Sequence, residues 1–242
     1  MVKALLWITR PPDQTSALIE ALNGLAIEVV IKPVMRIVPI EPDKQLSSDL
    51  VIYTSVNAVK WSCCNAKMPA LAIGPATAKA LQEKGIEPVT WPKAPYDSEQ
   101  LLAHPLLQQQ AIRGKRVGLI KGKGGRDLIT QTLHQRGATV SPHCVYQRQI
   151  LPIDPYVLSR FADYQGAAWV LAMSQSALEA FECSTHSAVI ERVKQRVMLI
   201  CISERVARYA KQHGWQKIKC AVQSSQAGIV SIIKRQLDDC LH

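Results

Sequence analysis

The strongest constraint on this chain is that it repeats itself twice over. The run ALLWITRPPDQTSALIEALNGLAIEVVIKPVMR lies over VGLIKGKGGRDLITQTLHQRGATVSPHCVYQR almost without gaps, with Leu22 on Leu133, Val29 on Val140 and Val34 on Val145. Each copy reads as strand, polar turn, amphipathic helix, strand. A second unit, VIYTSVNAVKW followed by LAIGPATAKALQEKGIEPV, recurs as WVLAMSQSALEAF followed by ICISERVARYAKQHGWQKIKC. Here Ser55 matches Ser174, Ala58 matches Ala177, Ala78 matches Ala207 and Gly85 matches Gly214. Within this unit a β-rich run ends in a small hydroxyl residue, a helix follows, and a second β-rich run ends at Gly74 or Ser203 before another helix. Lys84-Gly85 and His213-Gly214 carry the basic-then-glycine signature of a helix C-terminus.

Alternating β and α segments with short connections predict parallel sheets. The order first unit, second unit, first unit, second unit permits two cuts, a tandem split near Pro105 or an interleaved pair of domains. Both copies of the first unit end in extended segments, residues 34–40 and 145–151, which have the length to pair antiparallel as a double linker. A chain of 242 residues with 48% hydrophobic and 20% charged residues has material for two cores. The N-terminal apolar stretch ends at Arg10-Pro11 before any signal-peptide core appears, and no run approaches the eighteen apolar residues of a membrane span.

The net charge of +10 calls for an anionic partner. The basic residues are scattered rather than clustered in runs, which argues against nucleic acid. Seven cysteines, Cys63, Cys64, Cys144, Cys183, Cys201, Cys220 and Cys240, show no metal-ligand or redox spacing and read as reduced, mostly buried apolar side chains in a cytoplasmic protein. The histidines, including His186 and His242, are scattered and read as surface residues. No nucleophile triad, paired-carboxylate motif or metal motif emerges. What remains is binding, or acid-assisted chemistry on a substrate that is already reactive.

Ligands of parallel sheets bind at the carboxyl ends of strands, where helix N-termini present free amides. The candidate turns are Thr9-Arg10-Pro11, Thr54-Ser55-Val56-Asn57, Gly74-Pro75-Ala76-Thr77, Gly122-Lys123-Gly124-Gly125-Arg126, Ser174-Gln175-Ser176 and Ser203-Glu204-Arg205. Gly74-Pro75 starts a helix either way, and Thr77 adds a hydroxyl beside its amides. The KGKGGRD loop lacks the ending of a nucleotide-binding loop. It reads either as an anion nest in which Arg126 forks onto a carboxylate, or as a solvated basic turn.

TRP near the N-terminus, YTSVNAV, AIGPATAKAL, the GGRDL helix start, VYQR and MSQSAL, in that order, resemble the uroporphyrinogen-III synthases over nearly the whole chain. The resemblance implies an α/β fold of two flavodoxin-like parallel-sheet domains joined by a two-stranded β-linker. It thereby favours the interleaved cut: residues 1–35 plus 152–242 as a discontinuous domain, 40–145 as a continuous one, and 34–40 and 145–151 as paired linker strands. It implies a lyase of porphyrin and haem biosynthesis that works without a cofactor. The substrate would be hydroxymethylbilane, a linear tetrapyrrole with eight carboxylates, closed to uroporphyrinogen III with loss of water and inversion of ring D. A monomeric cytoplasmic enzyme, binding neither nucleic acid nor membrane, is expected. By position Tyr146 matches the family tyrosine that assists departure of the hydroxyl, and Thr77, Thr54, Ser55 and Ser174 match residues near the substrate carboxylates. Thr9, Arg10, Asn57, Gly74, Gly124, Arg126 and Ser203 complete the candidate binding set. The turn ISERVARYA departs from the Gly-Pro-x-Thr pattern of many relatives, with Ser203 and Val206 in the altered places. A non-catalytic two-domain binder of a polyanionic small molecule is the alternative.

Overall fold

The computed structural model describes residues 4–41, 47–63, 68–90, 92, 94, 96–184, 188–223 and 225–239. Its strands in chain order are β1 (Ala4–Ile8), β2 (Ile27–Ile31), β3 (Met35–Pro39), β4 (Leu50–Tyr53), β5 (Ala70–Ala72) and β6 (Pro88–Thr90). They continue with β7 (Arg116–Gly122), β8 (Thr139–Ile150), β9 (Ala167–Ala172), β10 (Met198–Cys201) and β11 (Lys217–Cys220). The α-helices are α1 (Ser16–Leu22), α2 (Val56–Trp61), α3 (Pro75–Glu83), α4 (Ser98–Leu102), α5 (Gln109–Ile112) and α6 (Leu128–Gln135). After these come α7 (Pro155–Ala162), α8 (Gln175–Cys183), α9 (Ala188–Arg196), α10 (Glu204–Gln212) and α11 (Gln226–Asp239).

Packing divides the chain into two compact units, Met1–Arg36 with Gln149–His242, and Ile37–Arg148. The first holds a parallel sheet in the order β11-β10-β9-β1-β2. Every residue of β1 is buried, and its side chains alternate between two layers, as the period of a strand requires. Ala4, Leu6 and Ile8 pack with α1 and α11, through Leu18, Leu22, Ile229 and Ile233. Leu5 and Trp7 pack on the other face with α7 to α10, through Phe161, Phe181, Val193 and Val206.

The sheet of the second unit runs β3-β8-β7-β4-β5-β6, parallel from β8 to β6. In β4, Leu50 and Ile52 face a layer that includes Leu101, Leu102, Ile129 and Leu133, whereas Val51 and Tyr53 face Ala58, Val59, Ala78 and Leu81. Helices α4 and α6 thus cover one face, and α2 and α3 the other.

β8 is one twelve-residue strand whose first part pairs with β7 and whose last part pairs with β3. The pairing with β3 is antiparallel: Ile40 N–H donates to Val145 O at one end, and Leu151 N–H donates to Val34 O at the other. Both boundaries between the units fall within this ribbon. At Gly85 and Gly214 the chain leaves α3 and α10 with φ of +74° and +90°, the left-handed conformation that a glycine supplies without a Cβ clash.

Two expectations from the sequence are corrected by the fold. Thr9-Arg10-Pro11 does not open an α-helix. A 3-10 turn, Pro12–Gln14, intervenes before α1, and Pro11 and Pro12 have no N–H to offer, so no row of free amides forms there. The cysteines are also less buried than expected. Cys201 is buried and Cys144 and Cys220 half-buried, but Cys63 lies in the loop beyond α2 and Cys183 ends α8, and both are exposed. Cys64, Cys240, His186 and His242 lie outside the described residues. No helix among the described residues is long and apolar enough to cross a membrane.

Candidate functional site

In each sheet one pair of neighbouring inner strands sends its following helices to opposite faces, leaving a crevice at the carboxyl edge. In the second unit that pair is β4 and β7, followed by α2 and α6. A cavity of about 220 Å³ opens there, lined by Thr54, Ser55, Ile73, Ser98, Lys121, Gly122, Gly124, Gly125, Arg126, Tyr146 and Arg148 among others. The sequence-derived candidates Thr54, Ser55, Gly124, Arg126 and Tyr146 therefore meet in one place.

The turn after β4 is pinned twice. Thr54 Oγ1 donates to Ile120 O of β7 at 3.1 Å, tying the two strands together where they diverge. Ser55 is the N-cap of α2, its Oγ accepting from Ala58 N–H at 3.0 Å, the role a serine plays because its side chain reaches back to an orphan amide. The same Oγ lies 3.1 Å from Tyr146 Oη. A hydroxyl that accepts one bond still has a proton to give and a second lone pair.

Tyr146 reaches this position through a register shift. β7 and β8 pair residue for residue up to Lys121 opposite Cys144, but Gly122 stands opposite Tyr146. The extra residue, Val145, bulges, so Val145 and Tyr146 both pack into the α2–α3 layer instead of alternating. The ring then lies over Gly122, where an added Cβ would come within 2.5 Å of Cζ and 2.9 Å of the hydroxyl. Gly122 thus has no side chain because the phenol occupies its space. Gly122→Ala is expected to displace the ring and cut activity about as far as loss of the hydroxyl itself, with the fold retained; circular dichroism alongside the turnover number checks this.

The glycine-rich loop, read from the sequence either as an anion nest or as a solvated basic turn, has two of its cations matched by protein carboxylates. Gly124 and Gly125 take φ of +80° and +88° and shape the loop. Yet Arg126 Nη1 donates to Glu99 Oε1 at 2.8 Å, and Lys121 Nζ to Asp127 Oδ1 at 3.1 Å. The carboxylate that meets Arg126 is thus one carried by α4. Arg148, which closes the VYQR motif without any local mark of a binding residue, lines the same cavity and is exposed. Ser98 also has no such mark, and only the lining of the cavity reveals it.

The remaining candidates of this unit lie outside that lining. Gly74 is the N-cap of α3 with Pro75 opening the helix, and Tyr96 Cβ sits 2.9 Å from where its side chain would be. Thr77, in the first turn of α3, is only 3% exposed. Asn57 is half-buried in α2.

The first unit repeats the design with β1 and β9 as the diverging pair. Thr9 is buried and donates through Oγ1 to Leu171 O at 2.9 Å, again bridging the two strands. Ser174 caps α8 by accepting from Ala177 N–H at 3.1 Å. Arg10 follows Thr9 half-buried, and desolvation holds its guanidinium below the usual arginine value. Ser203 stands at the N-terminus of α10 without a side-chain cap bond. Behind it burial pushes the Cys201 thiol up to about 12, and burial with a hydrogen bond to Glu204 pushes Cys220 up to about 11. Both stay protonated at neutral pH, so neither supplies a thiolate nucleophile.

These features define an α/β protein of two parallel-sheet units, each with hydroxyl-bearing turns at a strand-divergence crevice, one of them holding a buried phenol among cationic side chains. The family model of uroporphyrinogen-III synthase HemD matches residues 16–231. Relatives include the uroporphyrinogen-III synthases of Salmonella typhimurium, 31% identical over 231 residues, and Escherichia coli K12, 30% identical over 231 residues. Each alignment covers 88% of this chain and 93% of the relative. The chain belongs to the uroporphyrinogen-III synthase family. In fold it resembles the crystal structure of a mutant uroporphyrinogen III synthase from the extreme thermophile Thermus thermophilus, with a TM-score of 0.62 and 19% identity, covering 98% of this chain and 99% of that one. It also resembles the crystal structure of uroporphyrinogen-III synthetase from Helicobacter pylori, with a TM-score of 0.65 and 14% identity, covering 97% and 99%.

Proposed function

We propose that this chain closes hydroxymethylbilane to uroporphyrinogen III, a cyclising lyase reaction of haem biosynthesis, and that Tyr146 is the acid that releases the substrate hydroxyl. The observation that carries the site assignment is a phenol held in a crevice with its oxygen 3.1 Å from the capping hydroxyl of Ser55. Either hydroxyl can donate in this pair, and in this reading Ser55 is the donor to Tyr146 Oη, which leaves the phenolic proton for the substrate. The C–O bond of the hydroxymethyl group then breaks, water departs, and the lone pair of the adjacent pyrrole nitrogen completes an azafulvene. The substituted carbon of ring D attacks that electrophile and gives a spiro intermediate. The bond from this carbon to the methylene shared with ring C then breaks, and the azafulvene so freed on ring C recloses onto the unsubstituted α-carbon of ring D. Loss of the proton from that carbon restores the pyrrole and reprotonates the phenolate, so ring D is inverted and the net change is loss of one water. Because the electrophile comes from the substrate, this sequence of steps draws on no cofactor. The protein supplies position and one proton.

The finer architecture follows the same reading. We take each unit as flavodoxin-like, with residues 1–35 plus 152–242 as one domain and 40–145 as the other, joined by strands 34–40 and 145–151. Numbered in chain order, the sheet of the first unit has the order 2-1-3-4-5, and that of the second, β3 apart, runs 5-4-1-2-3, a circular permutation of the same order, which supports this. In the first domain we read Thr9, Arg10, Ser174 and Ser203 as carboxylate-binding positions, and in the second Thr54, Asn57, Gly74, Thr77 and Gly124.

The test is incubation of the protein with freshly made hydroxymethylbilane and separation of the type I and type III isomers. Spontaneous closure gives the uninverted type I product, so type III is expected in excess. Type I alone would reduce the chain to a binder of polyanions.

A further inference from the structure

Three cationic side chains line the crevice beside Tyr146: Lys121, Arg126 and Arg148. Two are already matched by carboxylates of the protein, Lys121 by Asp127 at 3.1 Å and Arg126 by Glu99 at 2.8 Å. The exposed Arg148 has no hydrogen bond or ion pair among the described residues. An ammonium or guanidinium beside its own carboxylate attracts a second one weakly, because the pair is nearly neutral from outside. A lone guanidinium keeps its full field and its fork of N–H donors.

We propose that Arg148 is the specificity-determining residue of this crevice, reading a carboxylate on the same pyrrole ring whose hydroxyl is released at Tyr146. The inference rests on the reading of Tyr146 given above and adds to it the anchor that aims the ring. Tyr146 and Arg148 are two residues apart on β8 and both line the cavity, so they project from the same side of the strand, about 6.5–7 Å apart along it. Eight carboxylates over four pyrroles place two on each ring, so the hydroxymethyl-bearing ring carries its own anions. A ring held by a bidentate bond at one edge and a phenol at the other cannot turn freely in its plane, which presents the departing oxygen to the acid. Arginine suits this better than lysine, since a point charge fixes distance but not orientation.

The test uses the full chain and hydroxymethylbilane, with KM, kcat and the ratio of type III to type I product measured at several ionic strengths. Arg148→Gln is expected to raise KM about tenfold to hundredfold, the loss of one charge-assisted bond. It is also expected to flatten the rise of KM with salt and to increase the type I share. Arg148→Lys should recover the salt dependence but not the isomer ratio. Lys115→Gln, which removes a cation next to the other end of β7, serves as the control for net charge and leaves KM and product ratio unchanged. An unaltered melting temperature in Arg148→Gln guards against a folding defect. A wild-type KM and isomer ratio in Arg148→Gln, or a larger rise in KM from Arg126→Gln, overturns the proposal. If Arg148→Gln is silent while Tyr146→Phe is slow, only the anchor is wrong; if Tyr146→Phe also keeps full turnover, the reading of the crevice has failed.

Discussion

Tyr146→Phe is expected to lower kcat for formation of the type III isomer by about 10² to 10⁴-fold, the range over which a positioned proton donor contributes. The change removes one oxygen and leaves the ring. Tyr146 is 5% exposed and packs against Gly122 and the α2–α3 layer, contacts that a phenyl group keeps. Ser55 loses a partner but retains its bond from Ala58 N–H, so the cap of α2 survives. KM should therefore change little, the pattern of an interaction made chiefly in the transition state. Slow enzymatic release of the hydroxyl leaves more substrate to close unaided, so the type I share should rise as the rate falls. Single-turnover kinetics with isomer separation measures both quantities. Full turnover with an unaltered isomer ratio would remove Tyr146 from the mechanism.

The largest effect on stability is expected from Trp7→Ala, at about 3–5 kcal/mol. Trp7 sits at 0% exposure on β1, the strand held between β2 and β9. Its ring meets Phe161 at 5.1 Å in a tilted arrangement and Phe181 at 5.1 Å edge-on, and Phe181 in turn lies 5.8 Å from Trp215. Truncation empties the centre of that aromatic cluster. It also orphans the Lys32 carbonyl, which accepts from Trp7 Nε1 at 2.8 Å. Trp7→Phe keeps most of the volume and loses mainly the hydrogen bond, so a cost of roughly 1 kcal/mol is expected. Urea unfolding followed by far-ultraviolet circular dichroism gives both values. Equal losses in the two variants would mean that the hydrogen bond, not the packing, is the dominant contribution.

The separation of these two sites within the chain shows which properties are written locally. β1 is legible because five consecutive apolar residues ending at a polar turn have few other fates than a buried strand. The ends of α3 and α10 are legible because Gly85 and Gly214 answer a steric demand within a single residue. The caps Ser55 and Ser174 act over three residues, and the internal repeat lets each copy vouch for the other. The parallel α/β class, the turns that carry hydroxyls and the family motifs are all signals of this short range.

The contents of the crevice are long-range. Arg126 looks available in KGGRD, and what occupies it is Glu99, twenty-seven residues earlier on another helix. Arg148 looks like the tail of a linker strand until the lining of the cavity places it beside Tyr146. The bulge that sets Tyr146 over Gly122 has no marker in either strand, since a register shift arises from how two strands pair and not from the residues of one. Thr9 finds its acceptor 162 residues away in β9. Sequence by itself determined the elements, their alternation and the family, because those follow from backbone sterics, burial periodicity and ordered motifs. Tertiary structure alone decided which phenol, hydroxyl and cation share a crevice and which charges are already matched, because those depend on distances between segments that only folding brings together.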